Sequence, residues 1–102
     1  MMDRSRDLLN RVDGFVTDEN MTVGLALIAQ LFYMELTFNM LLSSNNNGDL
    51  LLEWPKKKLA CDIRNGSIYV SFSLNRFDDI HQHFGKKIDQ ACDVISDRLI
   101  NK

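Results

Sequence analysis

Between Met21 and Leu42 the apolar residues fall on two opposite sides of a helical wheel. At about 100° per residue, Val23, Leu27, Leu31, Met34, Phe38 and Leu41 form one stripe. Leu25, Ala29, Phe32, Tyr33, Leu36 and Met40 form a second, roughly opposite, with Gln30 and Thr37 in one polar seam and Glu35 and Asn39 in the other. A helix that is apolar nearly all round is buried, in a core or in a membrane. A membrane span would place Gln30, Glu35 and Asn39 in hydrocarbon, and no Lys or Arg lies between Val12 and Pro55 to anchor an end, which favours a core. The pattern predicts one long helix over 18–43, capped by Thr17 or Asp18. A sheet would cover one stripe, and helices or a second copy of the chain the other.

On either side of this stretch the pattern changes. Leu8, Leu9 and Val12 predict a short amphipathic helix over 3–12, stopped near Gly14. Ser43-Ser44-Asn45-Asn46-Asn47-Gly48 is a run of turn formers and is expected to end the long helix. From Leu50 the period becomes 2, and three strands are readable over 50–54, 58–64 and 67–74. Asn65-Gly66 predicts a two-residue type I′ hairpin that pairs Arg64 with Ser67, Asp62 with Tyr69 and Ala60 with Ser71. Pro55-Lys56-Lys57-Lys58 joins the first two strands. Phe77, Ile80, Phe84, Ile88, Ala91, Cys92, Ile95 and Leu99 share one face of a last helix over 76–100, with Asn75 as its N-cap. The expected fold is therefore α+β in two layers, order α-α-β-β-β-α, a three-stranded antiparallel meander covered by helices.

The chain has 102 residues, 45% of them hydrophobic and 25% charged, values that fit one globular domain and exclude wholesale disorder. Net charge is −2, so the basic face of a duplex-binding protein is not expected. Charge is uneven: residues 1–54 carry a net −5 and the remainder a net +3. Charges of both signs precede any apolar run at the N-terminus, the pattern of neither a secretory signal nor a transit peptide, so a cytoplasmic location is expected. Cys61 and Cys92 both lie in apolar patterns and are read as reduced core residues.

Candidate chemistry is sparse. His81 and His83, two apart on the expected helix, would point about 200° away from each other and could not hold one metal together. Asp79 and His83 could pair at i, i+4, but the sequence nominates no nucleophile beside them. No phosphate loop, nucleophile elbow or zinc motif is present, and Asn45-Asn46-Asn47-Gly48-Asp49 lacks the acidic ligands of a calcium loop. No catalytic residue, metal or cofactor is expected. Lys56-Lys57-Lys58 beside Trp54 reads either as an anion site or as a solvated turn that protects a sheet edge. Trp54 ends its strand on the inward parity, where its ring would plug the core with the nitrogen reaching solvent or a carbonyl.

Two surfaces remain. The outer sheet face, carrying Leu51, Glu53, Asp62, Arg64, Tyr69 and Ser71, has the mixed aromatic, aliphatic and charged composition of a protein-recognition surface. The second stripe of the long helix, through Leu25, Phe32, Tyr33, Leu36 and Met40, offers a homodimer interface. The reading that follows is a non-enzymatic protein-binding module, of the small inhibitor, immunity-protein, antitoxin or phage-antagonist kind, that occludes a partner protein. Two alternatives stand beside it. One is a secretion-type chaperone, against which the short chain and single small meander count. The other is a small enzyme or ligand-binding protein with a pocket near His81, His83 and Trp54.

Overall fold

The computed structural model describes residues 2–10, 12, 14–72 and 81–100. Helices α1 (Met2–Asn10) and α2 (Asp18–Tyr33) precede five strands: β1 (Leu41–Ser44), β2 (Leu50–Trp54), β3 (Leu59–Arg64), β4 (Ser67–Ser71) and β5 (His81–Gly85). Helix α3 (Ile88–Ile100) follows. The strands form one antiparallel sheet in sequence order. The class is α+β, as the pattern predicts, but the meander has five strands where three are expected. The N-terminal helix also ends at Asn10, short of the predicted 12.

Both extra strands come out of sequence predicted to be helical. The helix expected over 18–43 stops at Tyr33, in a Schellman closure: the Leu36 N–H bonds the Leu31 carbonyl at 2.9 Å and the Glu35 N–H bonds that of Phe32 at 3.0 Å. Glu35 takes the left-handed conformation, φ 60°, where glycine is the usual residue, so no glycine marks the stop. A turn closed by the Met40 N–H on the Thr37 carbonyl, with Asn39 also at positive φ, then delivers the chain into β1. Leu36 reaches the core and its carbonyl accepts a 3.0 Å hydrogen bond from Trp54 Nε1. A buried ring N–H needs an acceptor, and an unbroken helix would have engaged that carbonyl internally. Tertiary contact thus overrides helical periodicity.

The helix expected over 76–100 is likewise shorter. Its C-terminal part is α3, while His81–Gly85 pairs with β4 as an edge strand, with a register shift between Ile68 and Tyr69. The expected cap Asn75, Phe77, Asp79 and Ile80 lie outside the described residues, as does Leu74 at the end of the third predicted strand.

The rest of the sheet follows its period. Leu50, Leu52, Trp54, Leu59, Cys61, Ile63, Ile68 and Val70 all face inward and join Val23, Leu27, Ile28 and Leu31 of α2 and Ala91, Cys92, Ile95 and Leu99 of α3 in one core. The hairpin register is the predicted one, Arg64 opposite Ser67, Asp62 opposite Tyr69 and Ala60 opposite Ser71. Positive φ at both Asn65 and Gly66 is what a type I′ turn requires. The Asn45–Gly48 patch makes a second hairpin, between β1 and β2, rather than ending a helix.

Helix α2 is seated by directional contacts. Thr17 is its N-cap, the hydroxyl accepting from the Asn20 N–H at 3.2 Å. Asn20, 1% exposed, donates from Nδ2 to the Gly48 carbonyl and accepts at Oδ1 from the Gly66 N–H, both at 2.8 Å. One turn on, a Cβ at Gly24 would lie 2.6 Å from Leu50 Cδ2, so any larger residue there would have to push the Leu50 side chain aside.

Replacing Trp54 with Phe keeps most of the ring's volume but leaves the Leu36 carbonyl without its donor. Unfolding by urea is expected to show a loss of about 1–3 kcal/mol, with the far-ultraviolet spectrum unchanged.

Candidate functional site

Alternation gives each strand an inner and an outer set of side chains. The helices pack on the inner face, which leaves the outer face without a helix among the described residues. Paired positions line up across it in two rows. One runs Ser43, Leu51, Asp62, Tyr69, His83 and the other Leu41, Glu53, Ala60, Ser71 and the position of His81. Arg64, opposite Ser67, stands one step diagonal to Tyr69.

Three of these side chains form a stack. The Arg64 guanidinium carbon lies 4.3 Å from the centroid of the Tyr69 ring. The His83 ring is stacked on Tyr69 with centroids 4.6 Å apart and planes 11° from parallel. Arg64 comes from β3 and His83 from β5, on either side of β4, so the phenol is held between a cation and an imidazole. Cation–π and stacked aromatic contacts are each worth about 0.5–1.5 kcal/mol. The larger consequence is that Tyr69 presents its hydroxyl end from a fixed position.

Asp62 adds charge to the stack without tying Arg64 down. Its carboxylate is 4.0 Å from Arg64 Nε, with the two side chains 29% and 42% exposed. A pair that long and that exposed contributes about 0–1 kcal/mol.

Of the six predicted recognition residues, Leu51, Glu53, Asp62, Arg64 and Tyr69 are half-buried on this face. Ser71 is not available: it is 5% exposed. His83 is the residue that sequence reasoning misplaces. On a helix it would diverge from the sheet. On β5 it faces Tyr69, and no polar–apolar alternation marks this strand, since His81, Gln82 and His83 are all polar.

The expected dimer stripe does not survive as a surface. Leu36 is 2% exposed and belongs to the core, while Leu25, Phe32 and Met40 are half-buried and packed against it. Only Tyr33, the last residue of α2, is open. The structure also separates Trp54 from His83. The indole is buried on the inner face and bonded to Leu36, and the imidazole lies on the outer face, so the sheet stands between them and they line no common pocket. Lys56 and Lys57 lie on a 3-10 turn, Pro55–Lys57, that ends at left-handed Lys58. It joins two interior strands and guards no sheet edge. Arg98 Nε donates to the Lys57 carbonyl at 3.1 Å, which ties α3 to this turn.

Among the described residues, no group of three or more His, Cys, Asp or Glu side chains converges as metal ligands. No helix there is long and apolar enough to cross a membrane. Comparison of the chain with known protein families, curated proteins and solved structures finds no match.

Cys61 and Cys92 are free and buried. Burial is the main cause raising both thiol pKa values. Asp62 adds to it at Cys61, and Asp89 and Asp93 at Cys92, which is pushed up to about 12. Because the thiolate is the reactive form, labelling of both cysteines under native conditions is expected to be slow and to accelerate in proportion to the unfolded fraction as urea is added. Fast labelling in buffer alone would contradict the inward placement of β3 and α3.

Proposed function

We propose that this chain is a non-enzymatic protein-binding module whose open sheet face covers a surface on another protein. The observation that carries this reading is the Arg64–Tyr69–His83 stack. Tyrosine and arginine dominate interface energetics. A tyrosine already immobilised between two neighbours loses less rotamer freedom on binding than a free one. Leu51 next to Asp62, and Glu53 in the adjoining row, surround the stack with the mixed apolar and charged composition of an interface. Inhibitors, immunity proteins, antitoxins and phage antagonists act by such occlusion, and this class fits the small size and the absence of a nominated nucleophile.

A secretion-type chaperone is the second reading, and the five-stranded sheet favours it more than a three-stranded one would. The same face would serve either role. A single stoichiometric partner recovered from a lysate and identified by mass spectrometry supports inhibition, and a set of different clients supports chaperoning.

With the partner in hand, Tyr69→Ala and Arg64→Ala are each expected to weaken binding by about 1–3 kcal/mol. His83→Ala is expected to weaken it in the same direction, by releasing one side of the tyrosine, with the melting temperature nearly unchanged. Binding that is indifferent to Tyr69→Ala while the protein stays folded would overturn the assignment of this face. Turnover of a substrate abolished by His83→Ala and unaffected by Tyr69→Ala would point instead to an enzyme.

A further inference from the structure

The two edges of the sheet are built differently. At the β5 edge the strand is polar (His81, Gln82, His83), its pairing with β4 is interrupted by a register shift, and it runs into Gly85 at positive φ followed by Lys86 and Lys87. Irregular pairing and lysines are the devices by which natural sheets refuse another strand. The β1 edge has neither. Its sequence is Leu41-Leu42-Ser43-Ser44, paired with β2 without a shift, and no Lys, Arg or Pro lies within β1 or the turns flanking it.

Exposed apolar residues also lie along the segment that leads into this edge. Of the five large hydrophobic side chains that stand exposed among the described residues, Tyr33 (71%), Phe38 (57%) and Leu41 (57%) belong to the end of α2, the turn after it and β1 itself. An unguarded strand entered through a segment that carries exposed aromatic and aliphatic groups is the arrangement expected of an interface rather than of a solvated rim.

We propose that a second copy of this chain docks here, the two β1 strands pairing antiparallel across a two-fold axis so that two sheets of five strands become one of ten. A symmetric pairing must match faces, and centring it on Leu42 does so. Leu42 then meets its own copy on the core face, and Leu41 meets Ser43 of the partner subunit on the outer face. The uncharged strand brings no like charges directly opposite one another. Glu53, one strand in, is separated from its copy by three strand spacings, about 14 Å, beyond a Debye length of about 8 Å. The charges near the edge therefore permit self-association.

A four-residue strand adds few ladder bonds, so most of the contact must be apolar. Aromatic side chains bury about 150–250 Å² each, and Tyr33 and Phe38 at their present exposure leave on the order of 200–300 Å² per chain to be covered. With Leu41 and the strand edge this approaches the lower end of the range around 800 Å² per partner found in stable complexes. The dimer is therefore concentration-dependent. It leaves the Arg64–Tyr69–His83 stack at the other side of each sheet free, so it is independent of the partner-binding reading.

Sedimentation equilibrium over a wide range of concentration tests the proposal. The unmodified chain should approach twice its 11.8 kDa mass at the high end. Its β1 amides should gain protection from hydrogen exchange over the same range. Leu41→Lys supplies the missing edge lysine at an exposed position and should give a folded monomer with those amides unprotected. Phe38→Lys, at a second exposed position, should do the same and stands in if Leu41→Lys fails to fold. A monomer at every concentration, a dimer that survives both substitutions, or association only with a different protein would overturn it.

Discussion

Asn20 is the constraint on which the arrangement of layers depends. One carboxamide, buried in the first turn of α2, holds the turn of the β1–β2 hairpin through the Gly48 carbonyl and the turn of the β3–β4 hairpin through the Gly66 N–H. The Thr17 N–H adds a second bond to the same Gly48 carbonyl at 3.1 Å. A hairpin forms from local pairing, and apolar burial presses helix and sheet together without fixing a direction. The Asn20 bonds supply that direction by fixing where the start of the helix meets two hairpin tips. Both glycines have positive φ. A Cβ at Gly48 would lie 2.7 Å from a ring carbon of Phe15, and one at Gly66 would collide with the Glu19 side chain.

The far end of α2 is fixed by a second directional contact, that between Trp54 Nε1 and the Leu36 carbonyl. Between the two, Gly24 allows the helix down onto Leu50. These contacts also reach the candidate site. Gly66 is in the turn that joins Arg64 to Ser67 and brings Tyr69 beside Arg64, so the clamp that seats the helix on the inner face also steadies the hairpin that carries two members of the stack on the outer one.

The middle of the sheet was legible in the sequence because a period of 2, an Asn-Gly turn and inward Leu, Ile, Val and Cys residues all agree. The two ends of the sheet were not legible. Around Glu35 the helical period of apolar residues continues through a closure that depends on a left-handed glutamate and on an indole 18 residues beyond Leu36, neither of which a local pattern reveals. At His81–Gly85 the apolar spacing of Phe84 and Ile88 matched a helix, while the five-residue strand, polar at its first three positions, offered no alternation to compete. Five residues of the outer face were identified from parity alone. Ser71 failed because parity says which way a side chain points and not what shields it. Asn20 went unnoticed although its position does carry a signal: at 20, 23, 27 and 31 it is the one polar residue in line with the buried stripe of α2, and a polar group there must find buried partners.

The most direct test of this account is equilibrium unfolding of Asn20→Ala in urea. Removing the carboxamide leaves the buried Gly66 N–H without its partner, at about 1–3 kcal/mol, and takes from the Gly48 carbonyl one of its two donors, at about 1 kcal/mol. The account therefore predicts a loss of about 2–4 kcal/mol, together with faster amide exchange at Gly66 and in the strands on either side of it. A change within about 0.5 kcal/mol, the range of an ordinary surface substitution, would show that apolar packing alone seats the helix and would contradict the central role given to Asn20.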